Sequence, residues 1–435
     1  MKPGINTTRE PPAVAASASR ERVVAALVHR HPDRIPIDFG ATFVTGMHVT
    51  CVAALREYYG LERRAVRVID PGQMLGEIDD ELKAAMGIDT HGVFPRVTRF
   101  GFPADQWKIW RMWDSLEVLV PRRFNTTTDE NGDLLMHPQG DLLAPPSARM
   151  PRDGYFFDNI IRQDPIDEQR LDPADNLEEF TPLSDQDLDH FEKQVERAAD
   201  TGRAVIATFG RMSLGDVNAV PAPGLKHPKG IRDIAEWYVS TKIRRDYIHR
   251  VFDGESEMAV ANLARIAARV HDRIDVAVIC GTDFGTQRST FCSATTFNEL
   301  WAPYYRRIND WIHRHTRWKT FKHSCGAVEP LLTALADCGF DIINPVQCSA
   351  AGMDPERLKR QYGERLVFWG GGAETQTVLA FGTPHDVREQ VLRRCDIFSR
   401  SGGFVFASVH NIQAKTPVEN TVAAIEAVQE FNGAR

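Results

Sequence analysis

The stretch Trp318-Lys319-Thr320-Phe321-Lys322-His323-Ser324-Cys325-Gly326 reads as a strand that runs into a polar turn. Apolar residues at helical spacing follow, Val328, Leu331, Leu332 and Leu335, and then a second short apolar run, Ile342-Ile343-Asn344-Pro345. Strand, polar turn, helix and strand in that order make one unit of a parallel α/β sheet. The same unit recurs outward through the second half of the chain, with strands expected at 204–209, 276–279, 319–322, 342–345, 366–369 and 404–407. Short, near-continuous apolar strands are covered by helices on both faces, which suits a doubly wound sheet and a (β/α)8 barrel alike. Two features favour the barrel. Polar residues stand after strand after strand: Gly281-Thr282-Asp283, His323-Ser324-Cys325, Gln347, Gly370-Gly371-Gly372 and His410. In a barrel all such loops open on one face. No Gly-x-Gly-x-x-Gly follows an early strand, so a dinucleotide fold has no support. The expected fold class is α/β, a (β/α)8 TIM barrel with N-terminal helices.

The first half is less regular. Helices are expected at 20–29, 50–59 and 79–85, and residues 32–40 read as a turn into a strand. Residues 104–157 carry Trp107, Trp110, Trp113 and turn signals at Glu130-Asn131-Gly132-Asp133 and Pro145-Pro146, the pattern of an antiparallel excursion. Residues 1–19 are rich in Pro, Ala and Ser without a continuous apolar core, which predicts a disordered leader. Residues 20–435 then form a single barrel domain.

Composition narrows the function classes. The chain has 435 residues, 43% of them apolar and 26% charged, as in a globular enzyme. A net charge of -7 gives no footprint for nucleic acid or an anionic membrane. No run approaches the roughly 18 apolar residues of a membrane span. Seven scattered cysteines, an odd number, argue against a disulfide framework and for a reducing cytoplasm.

On a strand, residues i and i+2 share a face, so His323 and Cys325 converge on one point, as a zinc-type site requires. Gly326 suits the tight turn beyond them. His410 follows the last expected strand as His323 follows its own, and supplies a third ligand at the same barrel mouth. Three protein ligands with one open position are the pattern of a catalytic zinc. Asp283 and Gln287, after the neighbouring strand, are the catalytic candidates. Gln347, Gln413, Asp89 and His91 are candidates for substrate contact. The three glycines at 370–372 lack a following Lys-Ser/Thr and read as a close backbone approach at the mouth.

Three segments carry a resemblance: Asp283-Phe284-Gly285-Thr286-Gln287 with 297–304; His323-Ser324-Cys325-Gly326 through Asn344-Pro345; and His410-Asn411-Ile412-Gln413-Ala414-Lys415-Thr416-Pro417-Val418-Glu419-Asn420. With Arg34-Ile35-Pro36-Ile37-Asp38 at the opening, they resemble the uroporphyrinogen decarboxylase superfamily of (β/α)8 barrels. The resemblance covers most of the chain, and residues 105–194 only loosely. Its decarboxylases carry an arginine-rich opening for substrate carboxylates, where this chain has Phe39-Gly40-Ala41-Thr42-Phe43. Its corrinoid methyltransferases carry His-x-Cys-Gly and a later Cys as zinc ligands. This chain keeps the first two as His323 and Cys325 and has His410 in place of the later Cys.

The resemblance therefore implies a zinc-dependent methyltransferase of the corrinoid type, with Zn2+ on the protein and a corrinoid as methyl donor or acceptor. The methyl group would pass between a methylcobalamin-type donor and a thiol or folate-like acceptor, with a corrinoid protein as a possible partner and the oligomeric state open. The alternative is a decarboxylase-like lyase acting on a small carboxylate other than uroporphyrinogen, favoured by His410. A non-catalytic barrel is disfavoured by the polar residues that follow the strands.

Overall fold

The computed structural model describes residues 16–434. Seven strands pair in chain order as one parallel sheet: β1 (Thr90–Val93), β2 (Ala204–Thr208), β3 (Val276–Cys280), β4 (Lys319–His323), β5 (Ile342–Asn344), β6 (Val367–Trp369) and β7 (Phe404–Val405). Residues 36–38 join its two edges. Ile37 pairs in parallel with Phe406. On that side Asp38 N donates to Phe406 O and Phe406 N to Pro36 O, each at 2.8 Å. On the other, Asp89 N donates to Ile37 O at 2.9 Å. Eight segments in chain order thus close a (β/α)8 barrel, in which no edge is left unpaired.

The alternation of side chains along each strand builds two cores. Ala204, Ile206, Val276, Val278, Phe321, Ile342, Val367, Trp369 and Val405 pack together inside the barrel. Their neighbours Val205, Ala207, Ala277, Ile279, Ile343, Phe368 and Phe404 face outward and join the core under the helices. All five residues of β3 are buried, as a strand covered on both faces requires. Capping boxes start two of the covering helices, Ser184 with Asp187 for Asp185–Asp200 and Thr383 with Asp386 for Pro384–Phe398.

The helix Ala16–Leu27 closes the N-terminal end of the barrel, where Val23, Ala26 and Leu27 join the interior cluster. From it Arg22 reaches Asp89, the residue before β1, at 2.6 Å, and both side chains are buried. One expectation changes here. Residues 1–15 of the expected leader lie outside the described residues, but residues 16–19 are helical. Ser19 donates to Asp89 at 2.8 Å, so the domain begins earlier than position 20.

The antiparallel excursion is present and consists of two sheets. Trp107–Arg111 and Glu117–Pro121 form a hairpin, which continues through a parallel pairing onto Val66–Asp70 and Leu75–Gly76. The second sheet is a meander of Thr126–Thr128, Leu134–Met136, Ala148–Met150 and Asp158–Asn159. Its first turn contains Gly132 at φ +83°, a conformation natural to glycine. No helix among the described residues is long and apolar enough to cross a membrane.

Candidate metal centre at the barrel mouth

His323 is the last residue of β4 and shares the inward face with Phe321. Its side chain therefore rises from the barrel core into the C-terminal mouth. Cys325 Sγ lies 3.3 Å from His323 Nε2. The His410 ring stands edge-on to His323, with centroids 5.3 Å apart. One nitrogen from each imidazole and the Cys325 sulfur all lie within 4.8 Å of one another. The three residues expected as ligands are thus brought together from loops 85 positions apart in the chain.

Each imidazole is oriented from behind. His323 Nδ1 contacts Asn344 Oδ1 at 2.6 Å, and Asn344 Nδ2 donates to Trp369 O at 2.9 Å. His410 Nδ1 contacts Asn411 Oδ1 at 2.6 Å, and Asn411 Nδ2 donates to Gln73 Oε1 at 2.6 Å. A carboxamide oxygen only accepts, so each Nδ1 carries the proton and each Nε2 keeps its lone pair. This is the tautomer a metal ligand needs. Burial pushes the His323 pKa down to about 4, helped by His410 and opposed by the Asp283 carboxylate. Burial also holds His410 below the ordinary value. The Cys325 thiol is driven well up, first by burial and then by Asp283. Two neutral imidazoles and a thiol whose ionisation needs a nearby positive charge form a soft donor set, and it fits zinc.

The surrounding loops are locked to this point. Asp283 Oδ1 accepts from Cys325 N at 2.7 Å and lies 3.9 Å from His323 Nε2. Gln347 Oε1 accepts from Gly326 N at 2.9 Å. Gly326 has φ +88°, and a Cβ there would meet Gly285 C and Thr286 O at 2.5 Å. The β3 and β4 loops therefore cross at backbone contact. Gly372 plays a similar part, since a Cβ on it would lie 2.2 Å from the Phe406 ring. The three-glycine run is a close approach, as expected. On the outer face of β4, the buried Lys322 ammonium donates to Thr282 O at 2.7 Å and His323 O at 2.6 Å, and so ties the β3 and β4 ends together. A cleft of about 270 Å³ opens beside Cys325 and His410, lined also by Gln287, Gln347 and Gln376.

Of the other expected residues, Gln287 donates to Gln376 at 3.1 Å across the cleft. Gln413 donates to Asn411 at 2.6 Å, so it acts on His410 through that carboxamide. Asp89 and His91 do not reach the mouth. Asp89 precedes β1 and lies at the opposite end of the barrel, where it is buried and binds Arg22, Arg34 and Ile37 N. His91 lies within β1, and its ring faces Lys83 and Asp80 in the helix layer. Both belong to the scaffold.

Asp216 is a mouth residue that sequence reading passed over. Its Oδ2 lies against Gly281, where a Cβ would come within 2.7 Å of it and 3.8 Å of the His323 ring. Burial raises its pKa, opposed by the hydrogen bond from Asn218 N. The buried Glu255, on the helix Arg245–Val270, accepts from Ser213 N and Leu214 N and holds this loop in place. The signal was available, because Asp216 follows β2 as Asp283 follows β3.

The comparisons bear on the fold. Residues 249–431 match the uroporphyrinogen decarboxylase (URO-D) family model. The whole barrel aligns with a methyltransferase from Methanosarcina mazei at a TM-score of 0.54 and 14% identity, covering 95% of this chain and 98% of that one. At that identity the likeness is one of fold. An endo-glycoceramidase II from Rhodococcus sp. aligns over 56% of this chain and 67% of its own at a TM-score of 0.35 and 12% identity, too loosely to bear on chemistry. No curated protein matches the sequence.

Proposed function

We propose that this chain is a zinc-dependent methyltransferase of the corrinoid type, moving a methyl group between a methylcobalamin-type donor and a thiol or folate-like acceptor. The observation that carries the reading is the convergence of His323, Cys325 and His410 within 4.8 Å beside an open cleft. The likeness in fold to a methyltransferase, and the URO-D match, are consistent with it. Zinc held by these residues would supply the Lewis acidity that keeps an acceptor thiol as thiolate, and a corrinoid, on this chain or on a partner protein, would bring the methyl group.

The chain's own residues do the rest. Asn344 and Asn411 fix the two imidazoles with Nε2 toward the centre. Asp283 holds the Cys325 backbone and contributes negative charge beside the ligands. The amides of Gln287, Gln347 and Gln376 offer neutral hydrogen-bonding groups along the cleft, where an acceptor would be oriented. No disulfide joins the seven cysteines, in accord with a reducing cytoplasm.

Metal analysis tests the reading. The expected result is one zinc per chain, lost in Cys325→Ala, reduced in His323→Ala and His410→Ala, and retained in His410→Cys. Protein prepared without chelators that carries no transition metal would overturn it. The methyl-transfer half is tested by the loss of methylcobalamin absorbance when a thiol acceptor is added.

One observation favours a second reading, a metal-free decarboxylase-like lyase on a small carboxylate: the third group is an imidazole rather than a second thiolate. That reading predicts activity in zinc-free protein and wild-type zinc content in both His410 variants. Uroporphyrinogen should not be turned over, since residues 39–43 offer no arginine for its carboxylates.

A further inference from the structure

Arg99 lies on the loop after β1, on the same face of the barrel as the metal ligands. Its guanidinium rests on Gly72, where a Cβ would come within 2.5 Å of Nε and 2.6 Å of Cζ. The ring of Phe100 lies 5.1 Å from its Cζ. Gln73, the next residue after Gly72, accepts from Asn411, and Asn411 holds His410. The charge of Arg99 is also one of those that favour the Asp216 carboxylate on the loop after the adjacent strand.

What distinguishes this guanidinium is how little it binds. It has five N–H donors, yet among the described residues its one hydrogen bond is a long contact of 3.4 Å from Nη2 to Phe157 O, and it makes no ion pair. Its Nε is buried without a partner. Arg56 and Arg162 also bury an unpaired Nε. Arg56 nevertheless binds Asp79 and Glu81, and Arg162 binds the carbonyls of Ala222 and Leu225. Arg99 has no such compensation. A partly desolvated cation with unused, coplanar donors is matched by an oxyanion that accepts two bonds at once.

We propose that Arg99 binds a carboxylate of the substrate, held flat by Gly72 and Phe100 for two-pronged contact. The inference rests on the barrel mouth being the substrate site, and assigns the class of acceptor that enters it: a thiol or folate-like molecule that carries a carboxylate. The side-chain-free surface of Gly72 is what lets the guanidinium lie where it does.

Calorimetric titration of zinc-loaded full-length protein with benzoate, acetate, benzamide and inorganic phosphate tests this. A carboxylate should bind at least tenfold more tightly than benzamide. Arg99→Gln should abolish that difference, and Arg99→Lys should weaken carboxylate binding several-fold because the two-pronged geometry is lost. Gly72→Ala should act like Arg99→Gln by displacing the guanidinium. Zinc content should stay at the parent level in all three variants, which separates this test from that of the metal reading. The proposal falls if no carboxylate outcompetes benzamide, if Arg99→Gln binds carboxylate as the parent does, or if phosphate binds better than either carboxylate.

Discussion

Asn344 and Asn411 have a specific task in this protein. Each accepts from the Nδ1–H of an imidazole at 2.6 Å and is itself held by a further hydrogen bond. Removing such a partner frees the ring to turn and to change tautomer, at a typical cost of about 10–100-fold in metal affinity. Asn344→Ala should lower zinc affinity by roughly that factor while costing only about 1 kcal/mol in folding stability. Chelator competition and urea unfolding would check the two halves separately. At this scale the sequence was readable where chemistry imposes a rare pattern. His323 and Cys325 stand at i, i+2 before a glycine, and His410 occupies the matching place after another strand. Their carboxamide partners were not readable, because Asn after a strand is common and only the fold decides which one meets a ring. Asp89 was misread because its place relative to the strand turned on one residue. It precedes β1, whose first residue is Thr90, and so points to the other end of the barrel.

The helix Val49–Tyr58 shows how an element is tied to its surroundings by a single side chain. His48 caps it, accepting from Thr50 N through Nδ1 at 3.2 Å and donating from Nε2 to Tyr155 O in the excursion at 3.0 Å. The first bond requires an unprotonated Nδ1, whereas the second is kept in either form of the ring. Burial lowers the His48 pKa to about 4, whereas in the unfolded chain it titrates near 6.5. The unfolded chain therefore takes up this proton first as the pH drops. The stability His48 contributes is complete above about pH 6.5 and is lost progressively toward pH 4, by up to about 3 kcal/mol. Urea unfolding at pH 7.5, 5.5 and 4.5 should show a steeper decline for the parent than for His48→Gln. The elements of the regular half were legible because buried parallel strands are short, continuous apolar runs. The strand Val66–Asp70 was not, because the partner that makes it a strand, Glu117–Pro121, lies about fifty residues away.

For the whole molecule, the decisive contacts are those that close the barrel. Asp89 binds Arg22 and Arg34 through one oxygen and Ile37 N through the other, and so ties the capping helix and residues 36–38 to β1. Breaking a buried pair leaves an uncompensated charge and costs about 3–5 kcal/mol. Asp89→Ala should lose stability of that order in denaturant unfolding. Zinc content of the fraction that folds should be unchanged, since the residue lies at the far end from the ligands. A substrate-binding Asp89 would instead give normal stability with impaired ligand binding.

The closure has a consequence for biosynthesis. Ile37 emerges from the ribosome early, but its partner Phe406 is among the last residues of the barrel to appear. His410 follows four residues later. A nascent chain stalled before residue 404 thus has an open sheet and only two of the three proposed ligands, His323 and Cys325. Tight metal capture would have to wait for the final strand to dock. Loading and the last long-range folding step would then be one event, and a translation product truncated there could not act as a metal sink.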